Sequence, residues 1–378
     1  MKKFLALTMA LCMLFALCAC GQAAAPAAAP AADSAPAADA APAAPAEVKK
    51  IGVAFPDRAV QRWVTEGQII IDAMAKEGYS ADVQYAEGDV QMQISQMENM
   101  ISSGVDCLVV TAIDSGSLNN VLQLAADQGI PVICYDRLVT GTPNVDYYVT
   151  FDNVRVGEIC TKTALERAGV ADATPEDPIY VEIFTGDVAD TNSHTYYKGV
   201  MNILQDYLDA GTVVVKSGQI DIDQIAITGW SQDNALARLE DIISGYYSDG
   251  THLDAVIGPA DVFTYAYVAA FESAGYTVGE DWPISCGQDG EVMAVKNILA
   301  GKTSFTSFRD GRVECGQLLP LVRAVLEGTE PEINDTTSFD NGVKVVPAYV
   351  CQTTIVDADN AVEVLVDGGF YTADQLGL

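Results

Sequence analysis

The residues able to do chemistry in this 378-residue chain stand just past short apolar runs. In the first half these are Asp57, Arg62 and Trp63 after IGVAF, Asp114 after DCLVVTAI, and Asp136 with Arg137 after PVICY. In the second half Asp190 and Asn192 follow IYVEIFT, Trp230 precedes a helical stretch, and Asp261 follows AVIG. Asp289 follows ISCGQ and Arg309 closes TSFTSF. Carboxylates accept paired hydroxyls, guanidiniums donate through a rigid fork, and a carboxamide does both. Tryptophan adds an apolar face. That set suits a neutral polyhydroxy ligand.

Each residue also has a plainer reading. Asp136 and Arg137 could form a surface ion pair, and Asp261 or Asp289 could cap the helix that follows. A glycosidase would need an acid and a nucleophile or base flanking one bond. The chain has no GxSxG, HExxH, Walker A or GxGxxG motif and only two histidines, of which His194 alone lies near the candidates. A calcium loop could begin at Asp357, Asp359 and Asn360, but Ala361 and Val362 stand where ligands and glycine are needed, so capping of a helix over 360–366 is favoured. No cofactor and no metal is expected.

The elements that must position these residues alternate. Residues 51–55, 81–85, 106–113, 131–135 and 147–151 read as strands, separated by amphipathic helices over 60–76, 90–103 and 115–128. Met92, Met97 and Met100 fall at helical spacing and read as core. The pattern restarts with strands at 179–185, 255–258, 284–287, 304–309 and 343–349, and helices at 193–210, 231–247, 262–275, 292–300 and 311–328. This predicts an α/β fold of two doubly wound parallel-sheet lobes, with the ligand in the cleft between them.

Composition narrows the partners. With 20 Lys+Arg against 52 Asp+Glu, the formal charge is −32, which argues against nucleic acid or an anionic membrane surface as the main partner. Residues 4–19 form an apolar run after Lys2 and Lys3, too short for a permanent span and right for a signal peptide. The run ends in Leu17-Cys18-Ala19-Cys20-Gly21, which resembles the bacterial lipobox, with Cys20 as the lipidated first residue after removal of 1–19. Residues 21–47 contain 16 Ala and 5 Pro among 27, the composition of an extended tether. Six cysteines remain beyond it: Cys107, Cys134, Cys160, Cys286, Cys315 and Cys351. Free buried thiols are favoured over disulfides for these scattered apolar positions.

At these residues the chain resembles the periplasmic-binding-protein-like receptors of sugar ABC transporters, in the xylose-type and multiple-monosaccharide-binding branch. The segments that carry the likeness are RWVTEG, QMQISQMENMISSGVDCLVV, PVICYDRL, YYVTFDNVRVGE, GQDGEV, NDTTSFDNGVKVVPAYV and LVDGGFY. The resemblance implies ligand contacts at Arg62, Trp63, Asp136, Arg137, Asp190, Asn192, Trp230, Asp261, Asp289 and Arg309. The family usually has lysine where Arg309 stands, some members have asparagine where Ala260 stands, and His194 replaces a small residue.

It further implies a monomeric lipoprotein, held by Cys20 on the extracytoplasmic face of the cell membrane. Such a receptor would capture a pentose or hexose by hinge closure and deliver it to an ABC permease driven by a separate ATPase. A sensor that presents sugar to a chemoreceptor or histidine kinase is the alternative, and a secreted glycosidase a remote one. A repressor of similar fold is excluded by the lipobox and by the absence of a helix-turn-helix before Lys49. The lobes are expected at 50–151 plus 288–342 and at 152–287 plus 343–378, after a lipidated tether over 20–49. The crossings are expected near 151–153, 286–288 and 341–349.

Overall fold

The computed structural model describes residues 48–378. The signal peptide, Cys20 and the Ala/Pro-rich stretch to residue 47 lie outside the described residues. The first sheet is all parallel. Its order is β2 (Ser80–Tyr85), β1 (Lys50–Phe55), β3 (Cys107–Val110), β4 (Val132–Tyr135), β5 (Tyr147–Phe151) and β11 (Ala348–Cys351). The central strands are apolar on both faces because helices cover both, as parallel sheets require. Ile51, Val53, Phe55, Val109, Ile133 and Tyr135 turn toward α1 (Gln61–Lys76) and α10 (Gly311–Glu327). Ala54, Leu108, Val110, Val132 and Cys134 turn toward α2 (Val90–Ser102) and α3 (Asn119–Asp127), where Met97 and Met100 are core residues.

The second sheet repeats the plan with β7 (Val213–Val214), β6 (Ile179–Ile183), β8 (Ala255–Ile257), β9 (Ile284–Asp289), β10 (Phe305–Phe308) and an antiparallel edge strand, β12 (Thr354–Val356). On one face α4 (Asn153–Arg167) and α5 (Thr191–Ala210) bury Val156, Cys160, Val200 and Leu204 against Val181, Ile183 and Phe305. On the other lie α7 (Gln232–Tyr246) and α8 (Asp261–Ala274), while the single turn α6 (Ile222–Ile225) packs Ile225 into the core of the first face. α9 (Val292–Leu299) and the C-terminal α11 (Ala373–Leu376) pack beside β10. Both sheets run 2-1-3-4-5 in their own strands, so each has its switch point beside its first strand, and the two open toward one another there.

The first of the three lobe crossings falls where it is expected, and the other two differ. The first crossing is at Asp152, between β5 and α4. The second is not at 286–288 but at Arg309 and Asp310, because β9 continues to Asp289 and pairs along its length with β10. Residues 288–308 therefore belong to the C-terminal lobe. The third crossing lies at residues 352–353, since β11 pairs with β5 and so keeps 343–351 in the N-terminal lobe. Val343 and Val345 are half exposed on a loop whose turn is held by Asn341, and the strand begins only at Ala348.

α4 is a helix that the sequence pattern did not announce. Its run NVRVGEICTKTALER mixes Thr, Val and Gly and has only a weak apolar stripe. The glycine has a packing reason: a Cβ on Gly157 would stand 2.3 Å from the Tyr196 carbonyl oxygen, and one on Gly199 2.0 Å from that of Val154. α4 and α5 touch backbone to backbone, and tertiary packing rather than propensity makes the helix. Gly199→Val should accordingly separate the two helices and destabilise the protein by about 1–3 kcal/mol or more. A urea midpoint equal to that of the parent chain would contradict this packing.

Candidate ligand-binding site

The ends of the strands meet in a cavity of about 500 Å³, including the part open to solvent, between the two lobes. The first turn of α1 supplies Arg62 and Trp63, and the loop after β4 supplies Asp136 and Arg137. From the other lobe come Asp190 and Asn192 at the start of α5, Trp230 before α7, and Asp289 at the end of β9. Arg309 enters from the second crossing. Nine of the ten residues expected at the site thus line one cavity.

Asp261 is the exception. It is fully buried, and its carboxylate accepts the N–H groups of Gly290 and Glu291 at 2.7 Å each and the Thr306 hydroxyl at 2.8 Å. Its work is to fold the loop that carries Asp289, while its neighbours Ala260 and Val262 face the cavity. His194 also stays outside: its Nε2 lies 2.8 Å from the Val188 carbonyl oxygen, in the groove behind the cavity. Asp57 and Asp114 are spent on the local turns, on the N–H groups of Val60 and Gly116. Asp357 accepts the N–H groups of Asp359 and Asn360 and pairs with Arg167 at 2.5 Å, so its carboxylate is spent on the turn before the last helical segment and on that ion pair. The segment after that turn, Val362–Asp367, winds more widely than an α-helix, with Gly368 N–H bonded to the Glu363 carbonyl.

Asp136 is the centre of the site. Its Oδ2 lies 2.8 Å from Arg62 Nη1 and accepts from Arg309 Nη1 at 2.8 Å, while its Oδ1 accepts from Asn192 Nδ2 at 2.9 Å. Its carbonyl oxygen takes the Tyr148 hydroxyl at 2.6 Å and the Thr150 hydroxyl at 3.1 Å. Arg62 is fixed in turn by Glu66 at 2.6 Å, Glu314 at 2.5 Å and, across the cleft, Asp289 at 3.5 Å. Arg137 Nε lies 2.8 Å from Asp190 Oδ2 across the cleft, and its Nη1 donates to the Ala112 carbonyl. Its guanidinium also lies 5.5 Å from the Trp63 ring and 5.7 Å from the Trp230 ring, within cation–π range of both. Arg309 hydrogen-bonds to the Asn153 side-chain oxygen, and Asn153 donates to Asn192 at 3.0 Å.

The cavity wall carries three guanidiniums and three carboxylates, so it is balanced in charge within a strongly acidic chain. Burial pushes the Asp136 carboxyl up, but Arg62, Arg309 and Arg137 outweigh it and hold the group below its ordinary range. Burial wins at Asp190 and Asp289, whose carboxyls lie above the ordinary value despite Arg137 and Arg62 respectively. Burial also raises Glu66 and raises Glu314 further, against the pull of Arg62. Burial of the same kind takes the Cys134 thiol up to about 12, and all six cysteines among the described residues are buried and free.

Backbone strain marks the same place. Among the described residues four non-glycines have positive φ, and three line the cavity: Asp136 at 62°, Trp230 at 53° and Asp289 at 109°. Such conformations cost about 1–3 kcal/mol each and persist only where the surroundings enforce them. Trp230 is stacked on Phe263, with centroids 5.8 Å apart, and lies over Gly186, where a Cβ would stand 2.0 Å from the indole. Asp187 holds the loop by accepting the Gly229 N–H at 2.6 Å.

Several lining residues were not picked out from the sequence. Asn153 stands just past β5 and meets the same strand-end criterion as the others; Gln288 and Tyr196 lie inside a strand and a helix. Glu66 had one signal, its i, i+4 spacing from Arg62. Glu314 had none. Buried polar atoms without a partner among the described residues concentrate on this wall: the indole N–H groups of Trp63 and Trp230, Gln288 Oε1, the Tyr196 hydroxyl and Arg309 Nε.

A two-lobed α/β protein whose strand ends converge on one buried, charge-balanced cavity is built as a solute-binding receptor. The chain belongs to the family described as the periplasmic binding protein domain, which matches residues 51–330. It is 41% identical over 88% of its length to the multiple sugar-binding periplasmic receptor ChvE of Rhizobium radiobacter, 93% of which is covered. It is 29% identical to the D-xylose-binding periplasmic protein of Escherichia coli, with 88% and 93% covered. Among solved structures, an ABC transporter solute-binding protein from Clostridium phytofermentans with bound β-D-glucose shares 43% identity at a TM-score of 0.83, with 87% of this chain and all of that one covered. These relationships imply an extracytoplasmic location.

The buried carboxyls fix the sign of the acid response. Glu66, Asp190, Asp261, Asp289 and Glu314 all lie above their ordinary values, so the folded state binds more protons than the unfolded chain above about pH 4. Their stabilisation is present at low pH and lost as pH rises through the raised values. Asp136 acts oppositely, contributing above the ordinary carboxylate range and losing that contribution as pH falls through its lowered value. The melting temperature of the unliganded protein should therefore rise from pH 7 toward about pH 5 and fall below about pH 4. A monotonic fall across the whole range, followed by calorimetry, would contradict these assignments.

Proposed function

We propose that this protein captures a monosaccharide, a pentose or hexose such as glucose, xylose, galactose or arabinose, and delivers it to an ABC permease driven by a separate ATPase. The observation that carries the reading is the cavity wall. It presents fixed fork donors, carboxylates and unpartnered indole N–H groups from both lobes, at no net charge, to one enclosed space between the lobes. A neutral ligand with hydroxyls all round satisfies these groups from both sides. A charged ligand would disturb a balance already met within the protein. In this reading Arg62, Arg137 and Arg309 donate to sugar oxygens, Asp136, Asp190 and Asp289 accept from hydroxyls, Asn192 does both, and Trp63 and Trp230 present their rings to apolar C–H surface.

The sugar touches both lobes, so it binds the closed form better than the open one and shifts the equilibrium toward closure by that difference. The relatives named above support a receptor that performs no chemistry on its ligand. They favour transport over presentation to a chemoreceptor or histidine kinase. The protein works as a monomer, held at the membrane by lipid on Cys20 with residues 21–47 as the tether.

A thermal-shift panel of xylose, glucose, galactose, arabinose and ribose should stabilise the protein with at least one member. Trp230→Ala should weaken the best ligand by about 1–3 kcal/mol, or roughly 5- to 150-fold. No shift from any pentose or hexose, or an unchanged affinity in titration calorimetry, would overturn the reading. For the anchor, Cys20→Ala should move the protein from the membrane fraction to the soluble one and abolish its labelling by radioactive palmitate. Equal partitioning of the two forms would refute lipidation.

A further inference from the structure

Most charged groups on the cavity wall are already engaged with one another. Asp136 is met by Arg62, Arg309 and Asn192. Arg137 is divided between Asp190 and the Ala112 carbonyl. Two side chains of the C-terminal lobe are different. Gln288 Oε1 and the Tyr196 hydroxyl find no partner among the described residues, although only 6% of Gln288 and 2% of Tyr196 is exposed. Both line the cavity.

The fold brings them to the same end of one core. β9 and β10 pair Cys286 with Phe305 and Gln288 with Ser307. Side chains alternate along a strand, so Gln288 and Ser307 stand on the sheet face of Cys286 and Phe305. That face is covered by α4 and α5, and Tyr196 of α5 belongs to the same core as Cys286 and Phe305. Ser307 Oγ, opposite Gln288 in the ladder, is likewise buried and without a partner among the described residues. Where this apolar core reaches the cavity it therefore gives way to polar atoms that the chain itself leaves unbonded. Buried polar atoms are costly in that condition, and methionine at 288 or phenylalanine at 196 would fill similar volumes without the cost.

We infer that Gln288 and Tyr196 are specificity-determining residues: each bonds a hydroxyl of the bound sugar, and a sugar that lacks that hydroxyl is rejected. The inference rests on the sugar-capture reading and adds which residues choose among sugars. The arginines and aspartates of the wall bond one another whatever hydroxyl is present, so they hold sugars broadly. Gln288 Oε1 only accepts, and a hydroxyl that donates satisfies it; the Tyr196 hydroxyl does both. A ligand without a polar atom at either place leaves a buried group unpaired. A site of that kind discriminates more sharply than one in which the wrong ligand merely forgoes a contact.

The test is titration calorimetry on the full chain with glucose, galactose and xylose, then with each monodeoxy derivative of whichever binds tightest, repeated on Gln288→Met and Tyr196→Phe. In the parent chain, loss of a hydroxyl read by either residue should weaken binding about 5- to 150-fold. In each variant the penalty at one carbon should shrink several-fold while the penalties at the other carbons stay as they were. Without sugar, both variants should melt at the parent temperature or above it, since each removes a polar atom that has no partner. Identical penalties in parent and variants, or an even loss of affinity across the whole series, would overturn the inference. An even loss together with a lowered melting temperature would show that the two side chains act by packing alone. If the parent chain bound none of the three sugars, the capture reading would fail and take the inference with it; binding without a carbon-specific change refutes the inference alone.

Discussion

The rest of the site depends on one carboxylate. Asp136 stands where three pieces of chain meet: the N-terminal lobe through Arg62, the second crossing through Arg309 and the C-terminal lobe through Asn192. It reaches them because its backbone is held in the left-handed region by two hydroxyl donors on its carbonyl oxygen. An aspartate is the right length for this. An amide in its place could accept from both guanidiniums at its oxygen but would turn an NH2 donor toward the Asn192 Nδ2 donor, and it would carry no charge to offset the arginines. The three arginines that surround Asp136 are donors without acceptor capacity, so a hydroxyl oxygen entering the cavity meets groups already aimed and unable to turn away. Preorganisation of this kind lowers the ordering cost of binding.

The same constraint explains the carboxylates behind the wall. Arg62 meets four carboxylates within 3.5 Å; Asp136 and Asp289 are on the wall, and the other two, Glu66 and Glu314, stand behind it in the lobe of Arg62. Without them a buried guanidinium on the first turn of a helix would be free to swing into the cleft. Lysine could not take its place, since one ammonium cannot address four partners in a plane. Tyr135 extends the network by donating to Glu66 at 2.8 Å, which ties the fork to the central sheet.

Most of this was legible in the sequence because strand ends announce themselves. Short apolar runs with a polar residue directly beyond them located Asp136, Arg137, Asp190, Asn192, Asp289 and Arg309, and all six line the cavity. The misreadings have physical causes. Asp261 satisfies the same rule but points along the sheet, where two backbone N–H groups and a hydroxyl consume it. α4 lacks the periodic apolar stripe because its contact with α5 is made by backbone at Gly157 and Gly199. The lobe boundaries depend on which strand pairs with which, as β9 with β10 and β11 with β5, and pairing is a long-range fact that local pattern does not carry.

A receptor that must stand open without ligand constrains its own interface. An apolar seam between the lobes would close on itself, since each 100 Å² of buried apolar surface contributes about 2.5 kcal/mol. The seam found here is made of ion pairs and hydrogen bonds: Arg137 with Asp190, Arg62 with Asp289, Asn192 with Asp136, and the Ser115 N–H with the Ala189 carbonyl at 2.9 Å. Each partner is well hydrated when the lobes part, and the desolvation it suffers on closing offsets much of the attraction it gains. Such contacts specify the closed geometry while adding little to its population. The decision is left to groups that water no longer reaches once the lobes meet, the two indole N–H groups, Gln288 and Tyr196, and these need a ligand with polar atoms on every side.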